Sequence, residues 1–172
     1  MTAPDGHIYS LGCMQEGAVP SANPLEIRKD WLDKLDMPVP TTLDEYLEVL
    51  RAFKTLDPGG VGADNVRPLG TYSAPSAKLY TTAFDLLLTA LGYRSAPSNY
   101  NQAGIYPALR NGEPTIPAND IEQFDYWVAY LHTLYAEGLV DENVFTTLES
   151  AELNQQVQAG YIGSFGGGGV TA

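Results

Sequence analysis

The chain has 172 residues, enough for one domain with a sizeable hydrophobic core. Hydrophobic residues make up 44% of it, and nine basic residues against twenty-one acidic ones give a net charge of −12. This charge disfavours nucleic acid and anionic membrane surfaces as partners, because both would repel the protein. It fits a protein whose partner is neutral or cationic.

Cys13 is the only cysteine, so the chain forms no internal disulfide. The triplet Leu11-Gly12-Cys13 resembles a lipoprotein cleavage site, but neither a basic nor an apolar leader region precedes it. We therefore interpret Cys13 as a buried small residue. No apolar run approaches transmembrane length. If the native protein is exported, we expect its signal to lie outside these 172 residues.

The first elements are short. A turn at Asp5-Gly6 leads into an alternating strand over 7–11, and residues 25–27 form a second short strand. The apolar spacing that follows predicts a helix over roughly 29–35.

The next helix has a clear start signal. Thr42 is a good N-cap, and Glu45 three residues later completes a capping box. Apolar residues then recur at helical spacing: Leu43, Leu47, Leu50 and Phe53. Pro58 and two adjacent glycines end this helix.

The stretch DPGGVGADN, which begins at Asp57, resembles a calcium loop that lacks some of its ligands. An EF-hand loop needs oxygen ligands at positions one, three, five and nine, Gly at six and a bidentate Glu at twelve. Asp57, Gly62 and Asn65 match positions one, six and nine. Positions three, five and twelve hold Gly59, Val61 and Pro68. The pattern alone leaves open a metal site, a remnant of one, or a glycine-rich turn.

The middle of the chain predicts a strand, a helix and a hairpin. The strand covers 66–69, and the most apolar helix covers 77–91, with Gly92 closing it. Asn111-Gly112 is a strong hairpin turn between the two short segments that flank it.

The last third predicts two helices and a strand. Asn119 and Glu122 suggest a second capping box, which opens a helix that runs to Gly138. Its predicted apolar residues are Ile121, Phe124, Trp127, Val128, Leu131 and Leu134. A final helix covers roughly 149–159, and residues 161–165 form a closing strand. Altogether the pattern is α/β, with long helices and several short strands.

No catalytic motif stands out. The sequence contains no hydrolase elbow, Walker loop, HExxH or CxxC, and its two histidines are His7 and His132. His132 lies within a predicted helix without a partner at a suitable spacing, which favours a structural role. A glycosidase-type carboxylate pair stays open, although nothing singles one out. Eleven tyrosines fit either sugar-stacking surfaces or half-buried core positions.

Four motifs occur in the order typical of one family. They are Asp5-Gly6-His7-Ile8-Tyr9, then the segment RKDWLDKL with the helix start Pro40 to Glu45, then Leu134 to Asp141, and finally Gln158 to Gly163. This order resembles the extracellular solute-binding proteins of bacterial ABC importers that bind sugars and oligosaccharides. It is similar to the middle of maltose-binding protein.

The resemblance implies one lobe of a two-lobed periplasmic-binding-protein-like fold, with several helices around a small sheet of short strands. Residues 1–172 would form a single domain, a second-lobe segment, with crossover strands near 5–12 and 161–166. Relatives carry the calcium loop D-P-D-G-N-G-x-x-D-E where this chain has Gly59 and Val61 in ligand positions. Losing two ligands leaves a turn without a metal ion.

The resemblance also implies where the solute binds. In this family the solute lies in the cleft between the lobes, so we expect Tyr72, Tyr80 and Phe165 near the interlobe face and Tyr9 and Gln15 at the crossover. These five residues are the predicted ligand-binding set.

The resulting functional hypothesis is the extracellular binding component of an ABC uptake system, with a carbohydrate as solute, a permease as partner, and no catalysis or cofactor. Its location would be extracytoplasmic, in the periplasm or lipid-anchored at the cell surface. The alternatives are a carbohydrate-active hydrolase and an adhesion or sensor domain that reuses the fold. Fold analogy alone identifies no particular solute.

Overall fold

The protein is described by a computed structural model over residues 6–7, 25–71, 73–74, 77–95, 108–144 and 150–166. The helices in this part are α1 (Lys29–Lys34), α2 (Leu43–Leu56), α3 (Thr82–Thr89), α4 (Ile121–Ala136) and α5 (Ser150–Gln158). The strands are β1 (Leu25–Ile27), β2 (Arg67–Gly70), β3 (Ser73–Ala74), β4 (Ala77–Thr81), β5 (Tyr93–Ser95), β6 (Ala108–Arg110), β7 (Glu113–Thr115) and β8 (Ile162–Gly166). A 3₁₀ turn at Pro117–Asn119 precedes α4. The α/β class and the small sheet of short strands are confirmed.

The central sheet has the order β1-β8-β2. β8 pairs antiparallel with β1 and parallel with β2, so the carboxyl ends of β2 and β8 lie at the same edge. A parallel bridge between Leu69 and Val140 extends the pairing beyond β2. Two smaller sheets, β3-β4 and β5-β6-β7, complete the strand pairing of the described residues.

Helix α2 begins as the sequence predicts. The Glu45 amide donates to Thr42 Oγ1 at 3.2 Å, and Glu45 Oε2 accepts from the Thr42 amide at 3.2 Å, which makes the capping box. The fully buried face differs in part from the predicted one. Tyr46 and Val49 join Leu50 and Phe53 there, whereas the predicted Leu43 and Leu47 are only partly buried.

Helix α2 contributes to both hydrophobic clusters. The smaller cluster combines α1, α2 and the residue before β2: Trp31, Leu32, Val49, Phe53 and Val66. The larger cluster lies between α2, α3 and α4 and includes Leu50, Phe84, Leu87, Trp127 and Leu134. The two clusters hold the helices against the central sheet, which fixes the backbone at the ends of its strands.

The predicted hairpin is confirmed. Asn111 and Gly112, at φ of 54° and 85°, connect the antiparallel strands β6 and β7. Two successive positive φ angles are what a type I′ turn requires, and Asn-Gly accommodates them at low cost.

The helix predicted over 77–91 is wrong at its start. Residues Ala77–Thr81 form β4, which pairs with β3, and α3 begins only at Thr82. The segment is apolar enough for either structure, so periodicity alone did not separate them. Pairing with the neighbouring strand decides in favour of β4, because β-propensity depends on tertiary context.

The second capping box is also wrong. Asn119 belongs to the 3₁₀ turn, and the N-cap of α4 is Asp120, whose side chain makes no capping hydrogen bond. Its Oδ2 instead accepts from Tyr93 Oη at 2.7 Å and pairs with Arg110, whose guanidinium lies 5.1 Å from the centre of the Tyr93 ring. This network ties α4 to β5 and β6.

The predicted apolar face of α4 is only partly correct. Trp127 and Leu134 are buried as expected, together with Tyr130. Ile121 and Val128 are exposed. Helical spacing marks an apolar stripe but does not say which part of a wide stripe faces the core.

Candidate functional site: the carboxyl edge of the central sheet

The ends of β2 and β8 form one continuous edge. Gly70 is level with Phe165, and Thr71 and Gly166 follow at the strand ends. In open α/β sheets, ligands bind outside the carboxyl ends of parallel strands. We call Gly70, Thr71, Phe165 and Gly166, together with the first turn of α3 (Thr82–Phe84), the carboxyl edge.

The start of α3 is held at this edge by close backbone contact. A Cβ atom added at Gly166 would lie 2.7 Å from Ala83 Cα, so only glycine lets β8 approach the helix this closely. The Ala83 amide lies 3.4 Å from Thr71 Oγ1 as a long hydrogen bond. Thr71 is 1% exposed and thus connects the end of β2 to the first turn of α3.

A buried hydroxyl chain fixes the position of β8. Ser164 donates to the Glu26 carbonyl at 2.6 Å, which uses its single hydroxyl proton. Tyr46 Oη is therefore the donor in its 2.7 Å bond to Ser164 Oγ. Burial raises the pKa of Tyr46 well above its ordinary value, so the phenol remains a neutral donor. These two hydrogen bonds connect α2, β8 and β1 at Ser164, the residue before Phe165.

The chemistry of the carboxyl edge suits a neutral solute. None of the residues that define it carries a formal charge, and Phe165 on β8 is partly exposed. A phenyl ring offers an apolar face to the C–H surface of a sugar ring. Backbone amides and carbonyls at strand ends can bond to sugar hydroxyl groups.

A cavity opens beside the carboxyl edge. It measures about 670 Å³, within the usual range for ligand pockets, and lies between the first turns of α2 and α4 and the last turns of α3. Leu25 lines it and pairs with Gly166, so the cavity adjoins the edge on the β1 side. Its walls are mainly apolar, with the carboxylates of Asp44 and Glu122 among them.

The structure describes two of the five predicted site residues at least in part. Phe165 lies on the carboxyl edge, and the backbone of Tyr80 lies in β4, two residues before α3 begins. Tyr9, Gln15 and Tyr72 lie outside the described residues. Sequence reasoning missed Thr71, whose only signal is its position directly after a strand.

In the loop after α2, Asp57 occupies the first position of the calcium pattern, and its carboxylate bonds to the backbone of the loop. Asp57 is in the left-handed region at φ 43°, and its carboxylate accepts from the amides of Val61 at 3.1 Å and Gly62 at 2.8 Å. Asn65 donates to the Val61 carbonyl at 2.9 Å. All three matching loop positions are therefore engaged within the loop.

The third position of this loop has no room for a side chain. A Cβ atom added at Gly59 would lie 2.6 Å from Cζ2 of Trp31, a fully buried indole. That contact is shorter than carbon atoms normally approach, so a side chain at position 59 would require Trp31 or the loop backbone to shift. Across the described residues, no group of three or more histidine, cysteine, aspartate or glutamate side chains is placed to hold a metal ion.

No helix in the described part of the chain has both the length and the hydropathy needed to cross a membrane. The sequence matches no protein-family profile.

The chain is similar to curated transport proteins over most of its length. It is 30% identical over 172 residues to the fructooligosaccharide ABC transporter substrate-binding protein FusA of Streptococcus pneumoniae, which covers 96% of this chain and 29% of FusA. It is 32% identical over 141 residues to the lipoprotein LipO of Bacillus subtilis, covering 80% of this chain and 25% of LipO. The chain thus spans less than a third of either relative.

Solved structures share the fold. An HMO-binding, ABC-transporter-associated solute-binding protein from Bifidobacterium longum infantis superposes with a TM-score of 0.72 at 29% identity, over 96% of this chain and 34% of that one. The relatives and structural neighbours of the chain are thus solute-binding proteins of bacterial ABC importers, and the chain corresponds to about a third of their length.

Proposed function

We propose that the chain is one lobe of an extracytoplasmic receptor that binds a carbohydrate and delivers it to an ABC permease. The solute rests on the carboxyl edge, with Phe165 stacked on a sugar ring, and a second lobe covers its other face. The single observation that carries this proposal is the uncharged carboxyl edge, where a partly exposed phenyl ring adjoins glycine backbone and the first turn of α3.

The relatives support the chemical class of the solute and the location. FusA is a binding protein for fructooligosaccharides, and the Bifidobacterium protein binds HMO. LipO is a lipoprotein, which supports attachment at the outer face of the cytoplasmic membrane. A net charge of −12 does not oppose a neutral sugar.

Binding without catalysis is favoured over hydrolysis. A glycosidase places two carboxylates on either side of the bond that it cleaves. None of the residues that define the carboxyl edge is acidic, and the carboxylates of Asp44 and Glu122 belong to the adjoining cavity. The relatives above are binding proteins.

The test is an NMR titration of the 172-residue chain with fructooligosaccharides and milk-type oligosaccharides. We expect the amide shifts of Thr71, Ala83, Phe165 and Gly166 to move more than those of α4 and α5. Phe165→Leu keeps the apolar bulk but removes the aromatic face, and should weaken binding about 2- to 10-fold, the value of one aromatic contact.

Tyr135→Leu is the matched control, because it removes an exposed aromatic ring near the end of α4, a helix that contributes no residue to the carboxyl edge. It should leave sugar binding unchanged. Equal losses in both variants, or shifts confined to other regions, would refute the proposed site. Release of shorter sugars from the oligosaccharides would favour the hydrolase alternative.

A further inference from the structure

The cavity beside the carboxyl edge has walls that suit a ligand with an apolar body. Its volume of about 670 Å³ accommodates a small organic molecule. Apolar side chains from β1, from the start of α2 and from the end of α3 line it: Leu25, Leu43, Leu86, Leu87, Ala90 and Leu91. An apolar group placed against these side chains would leave water, which favours binding.

The charged side chains that line the cavity are both carboxylates. Asp44 lies in the first turn of α2, and Glu122 lies in the first turn of α4. Among the described residues, neither carboxylate takes part in a salt bridge or a side-chain hydrogen bond. Glu45, which follows Asp44, differs because it accepts from the Thr42 amide in the capping box.

The helices around the cavity provide no cation for these two carboxylates. Helices α3 and α4 contain no lysine or arginine. In α2, Arg51 pairs with Glu137, and Lys54 donates to the Gly138 carbonyl at 2.7 Å. The amino ends of α2 and α4 each contribute about half a positive charge, and the carboxyl end of α3 contributes about half a negative one. The cavity therefore keeps a net negative charge.

An aromatic ring lies close to one of the carboxylates. Tyr126 lines the cavity from α4 and is 44% exposed. Tyr130 Oη donates to the Leu43 carbonyl at 2.9 Å, which holds α4 against the start of α2. Burial, and then the charges of Tyr126 and Asp44, raise the pKa of Tyr130 above its ordinary value, so both side chains lie near this contact. Aromatic faces attract organic cations, quaternary ammonium groups in particular.

We propose that this cavity is a second binding site, which takes a small organic cation with an apolar body. The ammonium group lies between Asp44, Glu122 and the ring of Tyr126, and the apolar body rests against the leucines. A sugar fits less well, because its hydroxyl groups would remain unpaired against the apolar walls. The proposal is independent of sugar binding at the carboxyl edge, because the three residues named here do not belong to that edge.

An NMR titration of the 172-residue chain with choline and with 3,3-dimethyl-1-butanol tests the charge requirement. The two molecules have nearly the same shape, but only choline carries a positive charge. We expect choline to shift the amide signals of Leu43, Leu91 and Gln123, which line the cavity, and to bind about tenfold more tightly than the alcohol. Equal affinity for both probes, no saturable shift with choline, or shifts confined to the carboxyl edge would overturn the proposal.

Two double variants separate the cavity from the overall charge of the chain. Asp44→Asn with Glu122→Gln should weaken choline binding about tenfold and abolish the preference over the alcohol, without affecting sugar binding. Glu48→Gln with Asp125→Asn is the matched control, because it removes two charges from the same two helices at exposed positions outside the cavity. It should leave choline binding almost unchanged, whereas Tyr126→Leu should weaken it several-fold. Equal losses in the two double variants would overturn the proposal.

Discussion

Trp31 packs against one of the positions at which the loop after α2 differs from a calcium site. The edge of Trp31 lies against Gly59, where an EF-hand carries an oxygen ligand, and packs edge-on against Phe53 at 5.1 Å between ring centres. The smaller hydrophobic cluster therefore packs against the loop through Trp31.

We expect calcium to leave the stability of the chain unchanged, because Asp57 is engaged by backbone amides and Gly59 and Val61 offer no side-chain oxygen. Thermal unfolding curves with millimolar calcium and with chelator should coincide. A rise of several degrees with calcium would contradict this expectation.

Restoring a ligand should damage the fold instead of rebuilding the site. Gly59→Asp should lower the free energy of unfolding by about 1–3 kcal/mol, the usual cost of overpacking, because its Cβ would overlap Trp31. Gly60→Asn is the control: position 60 has open space, and asparagine tolerates its φ of 67°. Both variants can be compared by urea unfolding.

Because Tyr46 is buried, we expect the free energy of unfolding to decrease at alkaline pH. Burial raises its pKa in the folded state, while in the unfolded chain it titrates near the ordinary value of about 10. Above that pH the unfolded state loses a proton that the folded state keeps, so stability falls as pH rises, by up to about 1.4 kcal/mol per pH unit for one tyrosine. Tyr46→Phe should therefore show a shallower decline between pH 9 and 11. An unchanged slope in urea unfolding would contradict the argument.

At the level of elements, the sequence predicted correctly those features that depend on residues close together in the chain. The capping box at Thr42 and the turn at Asn111-Gly112 depend on neighbouring residues, and both were predicted correctly. β4 depends on pairing with β3, and the exposed side of α4 depends on which of its apolar residues meet the core. Sequence periodicity contains neither fact.

For the candidate site, the sequence named residues but not the contacts between them. Phe165 was placed by family resemblance, and it lies on the carboxyl edge. The role of Thr71 could not be predicted, because it depends on the contact between the end of β2 and the start of α3. The binding role of all five predicted residues stays a prediction, and Tyr9, Gln15 and Tyr72 also lie outside the described residues.

A substitution at the start of α4 tests whether Asp120 attaches this helix to β5 and β6. Asp120 occupies the N-cap position, but its carboxylate accepts hydrogen bonds from Tyr93 and Arg110 and does not cap the helix. Asparagine caps helices as well as aspartate does, so Asp120→Asn would be neutral if capping were its role. We expect a loss of about 1 kcal/mol instead, modest because the ion pair is partly solvated. Asp44→Asn, an exposed residue in the first turn of α2, is the control in urea unfolding.

At the scale of the whole molecule, the proposed function makes this chain one side of a binding site. The two-lobed receptors of this family close on the solute, and each lobe covers one of its faces. The carboxyl edge alone leaves the opposite face of a sugar in water, so it provides only part of the binding free energy. Each lost 1.4 kcal/mol weakens binding about tenfold.

Isothermal titration calorimetry of the 172-residue chain against a panel of oligosaccharides tests this account most directly. One lobe should bind its sugar with a dissociation constant of about 1 mM or weaker, since losing several kcal/mol turns a micromolar site into a millimolar one. Phe165→Leu should weaken that binding further, while Tyr135→Leu should not. Micromolar binding by this chain alone would mean that it holds a complete site, and would contradict the account of a carboxyl edge that needs a second lobe.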